Sequence, residues 1–336
     1  MLRSLASKTT WDETPADPIE GTSWERDGVR GSQVSWSVGY GPRTEAWILR
    51  PATASGPLPG LIALHGHDGF KFHGKEKIAD GPTDVPAVAT LRREMYGGVA
   101  FANYFARQGF TVLVPDVFLW GSRRFPIDEM RPGPMPGPEH LWTAAEEDHP
   151  DRDDIAWYNR LAARHEHLVA KFCTIINRSL TDVVSYEDRV AARYLRSRTD
   201  LVDGPIGCVG LSGGGCRAAL LHATCDEISA AVVVGMMSTY GPLLEGYFAN
   251  HTWMFFPPGL RDWPDLAARR APIPLLVQYL LDDDLFPTSG IRAADARLTE
   301  IYGRSGEYTG QFYPGPHRFD PDMHRAALSW LRKWLF

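Results

Sequence analysis

Short runs of consecutive apolar residues recur along the chain, each closed by glycine, proline or a charged side chain. The runs at 61–64, 110–115, 205–211, 228–235 and 273–280 read as strands buried on both faces. Between them, apolar positions three and four apart predict helices near 93–108, 179–196, 213–224 and 288–303. Phe101, Tyr104 and Phe105 share one face of the first, and Gly109 ends it. The last helix opens on Asp320 as N-cap with Pro321 in its first turn, a strong start signal. Residues 33–38 and 44–49 flank the turn GYGPR and predict an antiparallel hairpin. A short strand at 310–313 brings the count to about eight.

Buried strands alternating with amphipathic helices predict an α/β fold: a mostly parallel eight-stranded sheet, helices on both faces, and the hairpin as an antiparallel edge. Residues 1–30 are expected as an N-terminal extension and 31–336 as a single domain. Two stretches break the pattern. Residues 120–178 hold proline-rich turns (RPGPMPGPEH), an acidic patch (AAEEDHPDRDD) and expected short helices, and 237–272 contain HTWMFFPPGLRDWPDL. Both are too long for ordinary connections and are expected to be cap insertions. Residues 70–91, rich in Lys and Gly, show no period.

Composition narrows the function. A formal net charge of −6 disfavours a nucleic-acid partner, which calls for a basic face. No run approaches the roughly 18–20 apolar residues of a membrane span, so no membrane partner is expected. The N-terminal residues lack an apolar signal core, which makes the cytoplasm the default location. Cys173, Cys208, Cys216 and Cys225 form no CxxC pair and read as packed free thiols. His165 and His167 in RHEHL lack HExxH and are expected on a solvated helix, so no metal site is assigned. Several tryptophans (Trp120, Trp142, Trp157, Trp253, Trp263) fall outside the clear core patterns and point to an aromatic-lined cleft or to packing.

In open α/β sheets, sites lie beyond the carboxyl ends of the strands. The residues there are His65-Gly66-His67-Asp68, Asp116, Ser212, Asp282-Asp283-Asp284 and Pro316-His317. Ser212 sits in GLSGGG between a strand and a helix. A nucleophile on so sharp a turn leaves no room for side chains two residues away, which accounts for Gly210 and Gly214. The run is not a phosphate loop: Cys216-Arg217-Ala218 follow it, and GxGxxG is absent. His317, in YPGPHRFD, is the expected general base. The orienting acid comes from LLDDDLFP, with Asp283 favoured and Asp284 and Asp282 behind it. Oxyanion donors are expected from Gly213 N–H and His67 N–H, with Asp68 N–H as the alternative. Asp68, Trp120, Arg123, Arg124, Trp253, Phe255 and Phe256 are candidates for lining the pocket, though packing between cap and core is open for each.

These residues, with LHGHDGFKFHGKE, ARQGFTVLVPDVFLWGSRR, GLSGGG, LFPTSG and HRFD, resemble the α/β-hydrolase superfamily over about 30–336. Within it the chain is similar to the dienelactone-hydrolase and acetyl-xylan-esterase-like group. Dienelactone hydrolase carries a cysteine where this chain has Ser212, and many acetyl-xylan esterases carry glutamine where it has Gly213. The expectation is a serine esterase acting through an acyl-enzyme on a small-molecule ester, such as an acetyl or other small acyl ester of a sugar or aryl alcohol. No cofactor is expected. Peptidase, thioesterase, acyltransferase or C–C hydrolase chemistry, a non-catalytic binding module and a homo-oligomer all stay open.

Overall fold

In a computed structural model of the chain, residues 1–130, 153–259, 262–304 and 306–336 are described. The proline-rich stretch, Trp142 and most of the acidic patch lie outside them. Nine strands form one sheet: β1 (Ala16–Arg26), β2 (Val29–Ser37), β3 (Thr44–Pro51), β4 (Leu58–Leu64), β5 (Thr111–Pro115), β6 (Leu201–Leu211), β7 (Ile228–Val234), β8 (Leu275–Leu280) and β9 (Tyr308–Tyr313). Their order is β1-β2-β3-β5-β4-β6-β7-β8-β9. The pairs β1–β2, β2–β3 and β3–β5 are antiparallel, and every pair from β5–β4 to β8–β9 is parallel.

The expected count of eight strands is thus one short. The extra strand, β1, lies in the stretch read as an extension and is almost wholly solvent-exposed. Its sequence, ADPIEGTSWER, has neither an apolar run nor a clean alternation, because a strand at the sheet edge has little apolar surface to bury. Two helix expectations also change. The helix near 93–108 is two helices, Ala89–Tyr96 and Phe101–Arg107, parted by Gly97 and Gly98 at φ of +59° and +77°. In the first insertion the described residues carry a 22-residue helix, Asp154–Ile175, where short helices were expected. It is capped by the Asp153 carboxylate, which accepts from Ile155 and Ala156 N–H.

The sheet divides the core. Phe101, Phe105, Met323 and Leu331 pack on one face, and Val183, Val190, Leu220 and Ile291 belong to the cluster on the other. Helices therefore cover both faces, and the parallel strands β4 to β9 are left with one set of functional ends, their carboxyl ends. All four cysteines are buried and free. Among the described residues no helix is long and apolar enough to cross a membrane.

Candidate active site

β6 ends at Leu211 and the next helix, Gly213–Thr224, starts at once, so Ser212 alone makes the turn. Its backbone stands at φ 58°, ψ −121°, a sparsely populated conformation for a residue with a side chain. Ser212 N–H donates to Val234 O at 2.9 Å and Cys216 N–H to Ser212 O at 2.8 Å, which fixes both sides of the bend. The glycines around it have no room for a methyl group. A Cβ on Gly210 would lie 2.8 Å from Leu64 O, and one on Gly214 would run into the same carbonyl. Gly215 has its own reason, since a Cβ there would sit 2.7 Å from Val234 O.

His317 stands beyond β9 and Asp283 beyond β8, and the two meet. His317 Nδ1 lies 2.6 Å from Asp283 Oδ2, while Asp283 Oδ1 accepts from Leu285 N–H at 2.9 Å. Asp283 is buried; Asp282 and Asp284 are exposed. Asp282 instead accepts from Gly315 N–H at 2.6 Å, tying the two loops together. With Nδ1 donating to the carboxylate, Nε2 of the neutral imidazole is left as an acceptor. It has no hydrogen-bond partner among the described residues, and His317 lines the same cavity as Ser212.

The loop after β4 comes up beside Ser212. A Cβ on Gly213 would lie 2.6 Å from His67 N, so these two backbone amides are neighbours. The His67 ring is held at both nitrogens. Its Nδ1 accepts from Gly69 N–H at 3.1 Å, so Nε2 carries the proton given to Glu166 Oε2 at 2.8 Å. Glu166, on the helix Asp154–Ile175, also binds the Lys71 ammonium and accepts from Thr252 Oγ at 2.6 Å. Burial opposes its ionisation, yet Lys71 and His67 hold the carboxyl well below its usual range. Nothing in the RHEHL pattern marked Glu166, because all its partners are distant in sequence. His165, expected on a solvated face, is buried with its ring 4.7 Å from Phe125; only His167 is exposed.

A cavity of about 200 Å³ opens between these groups, lined chiefly by apolar side chains. Of the expected pocket residues, Asp68 and Phe255 line it. Trp120 is buried behind the loop, giving its indole N–H to His67 O at 3.3 Å. Arg123 is wholly buried against Glu187 and the Tyr40 and Pro42 carbonyls, and so is structural. Arg124 lies over the Phe72 ring at 4.3 Å. Trp253 and Phe256 line a separate groove beside Arg178 and Leu180. Met95, Met236, His251, Leu285 and Phe286 line the cavity without having been expected. His251 stacks 4.9 Å from Phe255, and burial lowers its pKa. Asp116 is taken up by Lys75 and the Ser122 N–H.

No protein-family model matches the chain. It is 20% identical over 300 residues to "Putative hydrolase YtaP" of Bacillus subtilis (strain 168), covering 87% of this chain and 84% of that protein. Among solved structures it is similar to acetyl xylan esterase 1 from Thermoanaerobacterium sp. JW/SL YS485, with TM-score 0.56, 16% identity and coverage of 95% and 88%. It is also similar to methylesterase BT1017, with TM-score 0.54 and 20% identity; 95% of this chain matches only 57% of that one. The sheet order, the turn at Ser212 and these likenesses give this chain the α/β-hydrolase fold.

Proposed function

We propose that the chain is a serine-dependent carboxylic ester hydrolase with Ser212 as nucleophile. The observation that carries this reading is the convergence of Ser212, the Asp283-bound His317 and the paired Gly213 and His67 amides on one cavity. The esterases with this fold support it by analogy, since fold alone does not fix a reaction.

Each group has a chemical task. His317 Nε2 takes the Ser212 hydroxyl proton as Oγ attacks the ester carbonyl. Asp283 holds the imidazole tautomer and stabilises the imidazolium that forms. The carbonyl oxygen becomes an oxyanion received by the Gly213 and His67 N–H groups at the start of a helix, whose dipole also favours negative charge. On collapse, His317 returns its proton to the leaving alcohol. A water molecule, deprotonated by His317, then attacks the acyl-Ser212 ester and releases the acid.

The cavity volume of about 200 Å³ and its wall of Met95, Met236, Phe255, Leu285 and Phe286 suit a small acyl group. We assign acetyl or similarly short esters as substrates, with the alcohol portion toward the opening. The test is hydrolysis of p-nitrophenyl acetate by wild type, S212A and H317A. Turnover that disappears in both variants supports the reading, and turnover that survives in S212A rejects it.

A further inference from the structure

Lys77 is wholly buried, and an ammonium leaves water only at a large cost unless its donors are matched. Its partners come from one loop. Nζ lies 2.5 Å from Gly66 O, 3.3 Å from Phe70 O and 3.4 Å from His67 O, and 2.8 Å from Asp68 Oδ2. The residues of the loop after β4 thus fold around a single cation. Asp68 takes a positive φ of 55° within it, a strained conformation that the contact with the ammonium helps to hold. Arg92 Nε donates to Lys77 O at 3.2 Å and fixes the lysine backbone from the far side.

The shortest of these contacts falls on one particular peptide group. The carbonyl of Gly66 and the N–H of His67 belong to the same amide, and that N–H is the neighbour of Gly213. An amide is a resonance system, so positive charge on its oxygen draws electron density from nitrogen and strengthens the N–H as a donor. The contact is charge-assisted and lies in a site sheltered from water, where such polarisation is least screened. Asp68 partly offsets the long-range field of the ammonium. It does not lie between Nζ and the Gly66 oxygen, because Nζ touches both directly.

We infer that Lys77 is a positioning residue for the oxyanion site: its ammonium fixes and polarises the Gly66–His67 amide so that His67 N–H binds the oxyanion more tightly than the ground-state ester. This rests on the serine-esterase reading above. The effect belongs to the transition state, so it enters kcat and leaves KM nearly untouched.

The test compares wild type, K77M and K77R on p-nitrophenyl acetate, together with inhibition by a small alkyl boronic acid that forms a tetrahedral adduct on Ser212. For K77M the expected result is a kcat about 10- to 100-fold lower, somewhat less than removal of an oxyanion donor outright. KM should stay within about threefold, and boronate affinity should fall in proportion to kcat. K77R, which keeps the charge, should recover most of the loss. A double variant, K77M with D68N, removes the uncompensated carboxylate and carries the same test if K77M does not fold. Unchanged kcat in a folded variant, or a lower kcat with unchanged boronate affinity, overturns the inference while leaving the esterase reading standing. A wild type that neither hydrolyses the ester nor binds the boronate removes both.

Discussion

The imidazole of His67 donates from Nε2 to Glu166 Oε2 across 2.8 Å, joining the loop after β4 to the helix Asp154–Ile175. The same carboxylate holds Lys71 and Thr252, so three segments distant in sequence meet on one side chain. Replacing it leaves a buried ammonium without its counter-charge. E166A should lose about 3–5 kcal/mol of stability, the usual cost of breaking a buried pair, and most of its esterase activity. Urea denaturation alongside steady-state kinetics checks both, and a loss under about 1 kcal/mol would show that the contact is not structural.

Stability should fall in mild acid through His324. Its ring is buried, neither nitrogen has a hydrogen-bond partner among the described residues, it lies 4.3 Å from the Phe319 ring, and burial lowers its pKa to about 4. The unfolded chain takes up the proton near pH 6.5 and the folded chain only near pH 4. The stabilising contribution is therefore full above about 6.5 and fades as pH drops toward 4, at a limiting slope of roughly 1.4 kcal/mol per pH unit. H324F should flatten that slope in denaturation midpoints measured between pH 7 and 4, and an unchanged slope would contradict the assignment.

The three consecutive aspartates should separate sharply in function. Asp283 is buried on His317, whereas Asp284 is exposed. D283N should lower kcat by on the order of 10³–10⁴, the effect of fixing the wrong histidine tautomer. D284N should stay within about twofold of wild type, as expected of an exposed turn charge. Equal losses in the two variants would place the orienting acid elsewhere.

The apolar side chains on one part of the cavity wall should limit the size of the acyl group. Across p-nitrophenyl esters from acetate to octanoate, kcat/KM should drop by more than about tenfold, and F255A should recover part of the longer-chain activity. A flat profile would mean that the acyl group does not bind where Met236, Phe255 and Phe286 lie.

Much of this arrangement was legible in the sequence because it rests on local signals. The apolar runs gave β4 to β8. The expected acid and base stand past β8 and β9, where Asp283 and His317 meet, and Ser212 follows β6 and lines the same cavity as His317. Other features depend on partners far along the chain. Lys71, Lys75 and Lys77 read as polar loop residues, but each is buried. Lys71 and Lys75 meet acids 95 and 41 positions away, Glu166 and Asp116, and Lys77 meets Asp68 and the carbonyls of a folded loop. Arg123, expected at the pocket, is drawn inside by Glu187 in the same way. A charged side chain is buried only when tertiary structure supplies its counter-charge, and hydrophobic patterning carries no record of that. The edge strand β1 escaped notice for the opposite reason, having almost nothing to bury.

The nucleophile assignment is tested most directly by reaction with a fluorophosphonate, followed by mass spectrometry of the peptide containing GLSGGG. The account predicts one adduct per chain, located on Ser212, that is lost in S212A and forms far more slowly in H317A. An adduct on another residue, or labelling that persists in S212A, would contradict it.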